Sequence, residues 1–112
     1  MAPSKLVKKT RKDARKDAAA AHQLALWYAA GEEGLSRDLE LYIRWEREAA
    51  ERGDADAQYE LGVVYKLGRM GLQVDLALSL AWFRKAALQG RHLHHLFQSF
   101  QLNLSNLLEG QL

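Results

Sequence analysis

The chain has 112 residues, of which 48% are hydrophobic and 27% charged, and its formal net charge is +2 at pH 7. This composition is typical of one globular domain with a modest core, and it argues against wholesale disorder. The sequence contains no cysteine, no run of 18 apolar residues and, behind its basic N-terminus, no apolar segment before a small-residue cleavage site. We therefore expect no disulfide, no membrane span and no secretory signal, and we predict a cytoplasmic location.

The first predicted element is a basic N-terminal arm, residues 1–16. It carries seven cationic side chains against one acid, a net charge of +6, whereas the other 96 residues carry nine cationic and thirteen acidic side chains, a net charge of −4. The cations are Lys5, Lys8, Lys9, Arg11, Lys12, Arg15 and Lys16. Two interpretations stay open: the arm is solvated or folds against its own body, or it contacts phosphates or an acidic partner. No aromatic residue interrupts the cations, so base stacking is not expected.

Residues 17–53 and 54–90 are two copies of one pattern. A shift of 37 aligns them without a gap, and 16 of the 37 positions are identical. The identities include Tyr28 with Tyr65, Gly31 with Gly68, Gly34 with Gly71, Asp38 with Asp75, Trp45 with Trp82, and Gly53 with Gly90. Self-similarity at this period is typical of stacked helical repeats.

Each copy predicts two helices, called helix A and helix B. In the second copy, helix A begins after Asp54 and ends at Gly68, because glycine takes the left-handed conformation that terminates a helix. Helix B begins after Asp75, carries Trp82 on its apolar face as a packing wedge, and ends at Gly90. The first copy has the same landmarks 37 residues earlier.

Residues 91–112 lack these landmarks and predict a capping helix. Its apolar stripe consists of Leu93, Leu96, Phe97, Phe100, Leu104, Leu107 and Leu108. Stacked repeats need about three units for stability, so the cap, the arm or a second protomer is expected to cover the end surfaces of the two repeats.

The second copy resembles a Sel-1-like repeat, a branch of the tetratricopeptide-like α/α solenoids. The matching residues are Ala57, Gln58, Tyr59, Leu61, Gly62, Tyr65, Gly68, Gly71, Asp75, Ala77, Trp82, Lys85, Ala86, Ala87 and Gly90. The first copy matches more loosely: Ala25 replaces the usual glycine, Glu40 the alanine and Glu48 the lysine. The resemblance implies an all-α, right-handed solenoid of two helix-turn-helix repeats with a C-terminal capping helix. It also implies a bacterial adaptor or scaffold without shared catalytic residues.

Analogy with tetratricopeptide geometry places the A helices on the concave surface, where positions outside the core become candidate partner contacts. These positions are Ala19, His22, Leu26 and Ala29 in the first copy, and Asp56, Tyr59, Val63 and Lys66 in the second. The alternative, that Leu26, Tyr59 and Val63 pack against a neighbouring A helix, stays open. Likewise, Trp27 either packs against the arm or meets a ligand.

Little in the sequence predicts chemistry. His92, His94 and His95 diverge around a helix start, and only the outer two have a usable spacing for a metal. Glu32 and Glu33 form an acidic pair in a loop, where such residues are usually solvated. We therefore predict no catalytic residues, no cofactor and no metal site.

The predicted function is a protein–protein interaction adaptor or scaffold that binds a partner polypeptide on the concave A-helix surface. Two alternatives remain from other functional classes. One is a nucleic-acid-associated factor whose basic arm contacts phosphates, and the other is a structural protein that forms a homo-oligomer.

Overall fold

A computed structural model describes residues 2–89, and within them the chain forms five α-helices and no strand. The helices are α1 (Lys5–Asp13), α2 (Ala18–Ala30), α3 (Leu39–Glu51), α4 (Ala55–Leu67) and α5 (Leu76–Leu88). None of the five is long and apolar enough to cross a membrane. The predicted capping helix, Gly90 and the three neighbouring histidines lie outside the described residues.

The four repeat helices begin at the predicted aspartates, and the two A helices end at the predicted glycines. The B helix α3 ends at Glu51 with Arg52 as its C-cap, short of the predicted Gly53. Their N-caps are Asp17, Asp38, Asp54 and Asp75, and each carboxylate accepts a hydrogen bond from a backbone N–H of the first turn. The A helices α2 and α4 end at Gly31 and Gly68, whose φ angles of 71° and 66° lie in the left-handed region. The helix bounds predicted from these aspartates and glycines are thus confirmed.

The helices form two stacked hairpins. The first is α2 with α3, the second is α4 with α5, and α3 packs against α4 to join them. Both A-to-B loops close in the same way, because the amides of Asp38 and Asp75 donate to the carbonyls of Tyr28 and Tyr65, each at 2.9 Å. The two copies are therefore structurally equivalent units of an all-α helical repeat.

The tryptophans of the B helices pack into a core that runs through both hairpins. Trp82 is 8% exposed and belongs to the same buried cluster as Leu61 and Tyr65, which confirms it as a packing wedge. Its counterpart Trp45 packs against that cluster but is only half-buried. The outer side of Trp45 faces an open cavity of about 310 Å³ whose lining includes Arg44.

Most of the basic arm forms α1, which packs against α2. Val7 and Ala14 are fully buried, and Nη2 of Arg11 donates to the Tyr28 hydroxyl at 3.2 Å. Nη1 of Arg52 donates to the carbonyl of Ala14 at 2.5 Å. The arm thus folds against the body, which was one of the two interpretations of the sequence.

The α1 helix makes the same kind of contacts with the first repeat as the B helix α3 makes with the second. Nη2 of Arg47 on α3 donates to the hydroxyl of Tyr65 at 2.8 Å, just as Arg11 donates to the equivalent tyrosine of the first repeat. A shift of 36 places Arg11 on Arg47 and also brings Val7 onto Ile43 and Ala14 onto Ala50. Ile43 and Ala50 are buried as well. We infer that α1 caps the first repeat in the way that α3 covers the second.

Candidate functional site

The predicted partner contacts lie in two equivalent rows on the A helices, here called the A-helix surface. The row on α2 consists of Ala19, His22, Leu26 and Ala29, and the row on α4 of Asp56, Tyr59, Val63 and Lys66. Every one of these side chains is at least partly accessible. The last three positions of each row are spaced i, i+4 and i+7, so they share one face of their helix.

Several residues of the A-helix surface also pack within their own repeat. The rings of Tyr59 and Phe83 lie 5.6 Å apart between centroids, and Val63 packs against the same small cluster around Phe83. Ala29 packs against the main core, whereas Leu26 is 37% exposed. Tyr59 and Val63 therefore contact α5 of their own hairpin, rather than only the neighbouring A helix considered from the sequence.

Trp27 is a core residue. It is 8% exposed and belongs to the same buried cluster as Val7 and Ala14 of the N-terminal segment. Of the two interpretations of Trp27, the structure supports packing beneath the arm.

The cations of the arm separate into buried and exposed members. Arg11 is half-buried against Tyr28, whereas Lys5, Lys8, Lys9, Lys12, Arg15 and Lys16 are exposed. Four of the lysines lie on α1 at positions 5, 8, 9 and 12, a helical spacing that leaves one face cationic. We call these four the basic stripe.

The two repeats differ at three positions that meet inside each hairpin. In the second repeat, the Phe83 ring lies across the backbone of Gly62 and beside Tyr59. A Cβ on Gly62 would lie 2.5 Å from two atoms of this ring. Glycine is thus required there by the close approach of an aromatic ring.

In the first repeat the equivalent three residues are His22, Ala25 and Glu46. Nδ1 of His22 lies 2.5 Å from Oε1 of Glu46, so a polar pair replaces the aromatic one. Glu46 is fully buried, and the His22 side chain is 15% exposed. Ala25 is tolerated because the residue equivalent to Phe83 is Glu46, which has no aromatic ring.

Burial sets the electrostatics of this pair. It raises the pKa of Glu46 to about 7, against the lowering effect of His22. Burial alone would lower the pKa of His22, but the hydrogen bond and charge of Glu46, together with Asp54 and Asp56, raise it. The second oxygen of Glu46, Oε2, is buried and has no hydrogen-bond partner among the described residues.

Two carboxylates at the start of α4 complete a polar cluster at the junction of the repeats. His22, Asp54 and Asp56 each present a potential metal-ligand atom, and these three atoms lie within 4.8 Å of one another. With Glu46 they form what we call the His22 cluster. Sequence reasoning missed it because its members are up to 34 positions apart. The only signal was that His22 and Glu46 depart from the second copy.

Gly62→Ala is expected to destabilise the protein by up to about 2 kcal/mol. Overpacking a buried ring costs about 1–3 kcal/mol, and Phe83, which is 1% exposed, has little room to move. This cost exceeds the gain of about 1 kcal/mol from the better helix propensity of alanine. Urea unfolding followed by circular dichroism measures the difference.

The matched control is Ala25→Gly at the equivalent position of α2. There the change is expected to remove only helix propensity and a small buried methyl group, together about 1.5–2 kcal/mol. If Gly62→Ala instead stabilises the protein, the ring does not confine position 62.

Comparison with known proteins agrees with this architecture. The Sel1 repeat family matches residues 18–54 and 55–90, and Sel1 repeats are generally non-catalytic modules for protein–protein interaction. No curated protein sequence matches the chain.

Two solved structures are similar to this chain. The Sel1 repeat protein from Oxalobacter formigenes is 37% identical over 74% of this chain and 62% of its own, with a TM-score of 0.70. The protective antigen c5321 of uropathogenic Escherichia coli, which displays an SLR fold, is 31% identical over 86% of this chain and 20% of its own, with a TM-score of 0.76. The chain therefore spans about three fifths of the first protein and one fifth of the second. With both 37-residue copies matched and both neighbours built from the same repeat, the chain belongs to the Sel1 repeat family.

Proposed function

We propose that this protein is an adaptor or scaffold that binds a partner polypeptide on the A-helix surface. The observation that supports this most directly is the repeated row of accessible side chains on α2 and α4. Leu26 is 37% exposed although it is apolar, and the apolar residues Tyr59 and Val63 are only partly covered. A surface that keeps such residues accessible at equivalent positions of two repeats suits a helix or an extended segment of a partner.

Apolar contacts are expected to provide most of the binding energy. Leu26, Tyr59 and Val63 would act as anchors, because buried aromatic and aliphatic groups dominate interface energetics. Asp56 and Lys66 flank the α4 row with opposite charges and would fix the register of the partner. Tyr59 already packs on Phe83, so its ring is held in place before a partner arrives, which lowers the entropy cost of binding.

We also propose a bacterial, cytoplasmic setting. The similar structures come from two bacteria, and a chain without cysteine suits a reducing compartment.

Leu26→Glu combined with Val63→Glu is expected to weaken partner binding at least tenfold. Each change places a carboxylate at an apolar anchor, and a single hot-spot residue contributes about 2 kcal/mol or more. The partner is first identified by affinity purification and then purified, and its affinity is measured by calorimetry. Circular dichroism confirms that the double variant keeps its fold.

Leu6→Glu is the matched control, because Leu6 is an exposed leucine, 52% accessible, on α1 outside the A-helix surface. It is expected to bind the partner as the wild type does. Equal weakening by both variants, or none by the double variant, would show that the partner uses another surface. Sedimentation at several concentrations tests the self-association alternative.

The basic stripe favours a second candidate function, contact with nucleic-acid phosphates. Its four lysines are exposed on one face of a folded helix, with Arg15 and Lys16 following on the same chain segment. A contact of this kind releases counterions, so its affinity should fall steeply as salt rises.

Replacement of all four stripe lysines by glutamine tests the nucleic-acid function. If the stripe binds phosphates, the wild type binds duplex DNA or RNA with a salt slope near four, and the variant does not. The charge-preserving Lys→Arg variant keeps binding. Binding that survives the glutamine variant would exclude the stripe as the contact.

A further inference from the structure

The His22 cluster presents the donor set of a zinc site. Histidine nitrogen and aspartate oxygen are common Zn²⁺ ligands, and their bonds to zinc measure about 2.0–2.2 Å. In tetrahedral coordination such bonds place neighbouring ligand atoms about 3.4 Å apart. The potential ligand atoms of His22, Asp54 and Asp56 lie within 4.8 Å of one another, so small side-chain rotations would bring them to that spacing.

The three side chains are also positioned by the fold. Asp54 uses Oδ1 to cap α4, accepting from the amide of Ala57 at 2.8 Å, which fixes the carboxylate and leaves Oδ2 for another contact. Asp56 follows in the first turn of the same helix. His22 is held from α2, so the set spans the junction between the repeats. All three are partly accessible to solvent, and an ion can therefore reach them.

Glu46 supplies an independent observation that points to a metal. Histidines that bind metals usually direct their other ring nitrogen to a carboxylate, which fixes the tautomer and the ring orientation. Oε1 of Glu46 lies 2.5 Å from Nδ1 of His22, so Nε2 is the ring nitrogen that would bind a metal. Glu46 is fully buried, its Oε2 has no partner at hydrogen-bond distance among the described residues, and the Tyr42 hydroxyl interacts with the same carboxylate. Burying such a carboxylate is costly.

The charges around the cluster also favour a cation. Asp54 and Asp56 act electrostatically on His22, and Glu60 and Asp54 act on Glu46. Three carboxylates thus act on one imidazole, and Glu60 adds negative charge near Glu46. The N-terminus of α4 carries about half a positive charge, which offsets only part of this negative potential.

We propose that His22, Asp54 and Asp56 bind one Zn²⁺ ion, with Glu46 as a positioning residue behind His22. Water completes the coordination, because three protein ligands leave a tetrahedral position open. The site goes beyond the sequence-based prediction of no metal, which considered only His92, His94 and His95. Although His22 and Asp56 also belong to the A-helix surface, the site goes beyond partner binding, because the ion would join the two repeats.

The test is calorimetric titration of the chelator-treated full chain with ZnCl₂. One Zn²⁺ per chain is expected, together with a higher melting temperature. His22→Gln and Asp56→Asn should each weaken zinc binding at least tenfold. Glu46→Gln, which alters only the residue behind the ligand, should weaken it about 10–100-fold. Circular dichroism verifies that each variant is folded before it is titrated.

Two controls separate this site from other sources of zinc binding. Asp17→Asn changes the N-cap equivalent to Asp54 in the first repeat and should leave the affinity unchanged. The triple variant His92→Gln, His94→Gln and His95→Gln should also bind zinc normally. The proposal is wrong if the wild type does not bind zinc, if either control abolishes binding, or if His22→Gln and Asp56→Asn leave it intact. Binding of CaCl₂ or MgCl₂ as tight as that of ZnCl₂ would also contradict it, because those ions prefer oxygen ligands.

Discussion

Trp82→Ala is expected to lower the free energy of unfolding by about 3–5 kcal/mol. The indole is 8% exposed and lies in the cluster that continues through both hairpins to α1, so its removal leaves a cavity in the shared core. The Lys85 ammonium, 4.8 Å from the ring centroid, loses a cation–π contact of about 0.5–1 kcal/mol. Small domains have about 5–15 kcal/mol of stability in total, so this loss should be visible in both urea and thermal unfolding.

Trp45→Ala at the equivalent position of α3 provides the comparison. Trp45 is half-buried and borders an open cavity, so its truncation should cost less than that of Trp82. Trp82→Phe should recover part of the loss, because it keeps most of the buried ring. If Trp82→Ala proves no more destabilising than Trp45→Ala, Trp82 does not act as the wedge of the second hairpin.

The architecture was predictable because the residues that begin and end its helices act locally. A carboxylate at an N-cap satisfies amides two or three residues away, and a glycine at a C-cap needs only its own φ angle. Asp54, Gly68 and Asp75 therefore determine helix ends wherever the hairpin is placed in space. Each landmark also occurs in both copies of the repeat. This recurrence supports the helix ends more strongly than composition or periodicity alone.

The capping role of α1 could not be predicted in the same way. The segment lacks the tyrosine, tryptophan and glycine landmarks, and its seven cations directed attention to charge. Its structural role depends on Val7, Arg11 and Ala14, whose equivalence to residues of α3 becomes visible only once Arg11 and Arg47 are seen to bind the two repeat tyrosines. A single cation among seven thus carries a packing role.

The His22 cluster could not be predicted from the sequence, because its residues are far apart along the chain and come together only in the fold. Position 22 was predicted to face a partner, and position 46 carried no prediction at all. Only the folded hairpin shows that His22, Ala25 and Glu46 meet where Tyr59, Gly62 and Phe83 meet in the second repeat. The repeat thus keeps its backbone while one internal layer becomes polar.

Replacing the polar layer of His22, Ala25 and Glu46 with the aromatic layer of the second repeat is expected to stabilise the protein. The triple variant His22→Tyr, Ala25→Gly and Glu46→Phe copies the layer of the second repeat into the first. Replacing a buried ion pair with packed apolar groups often stabilises a protein by about 1–4 kcal/mol, because the desolvation cost of the charges disappears. The unsatisfied Oε2 of Glu46 adds to that gain. Urea unfolding in chelator-containing buffer measures the change without a contribution from bound metal.

The relative stabilities of the partial variants test whether a ring at position 46 requires glycine at position 25. Glu46→Phe with His22→Tyr but with Ala25 retained should be less stable than the triple variant by about 1–3 kcal/mol. The reason is that at the equivalent Gly62 a Cβ would lie 2.5 Å from the ring. Glu46→Phe alone should be worse still, since it also leaves His22 without its partner.

The helix propensity of glycine opposes this order, because Ala25→Gly costs about 1 kcal/mol in helix propensity alone. The triple variant can exceed the double variant only if relief of the ring contact outweighs that cost. If the double variant is the more stable of the two, the first hairpin has a different helix separation from the second, and the equivalence of their inner layers is wrong. If the triple variant is less stable than the wild type, the polar layer contributes more to folding than an aromatic one would.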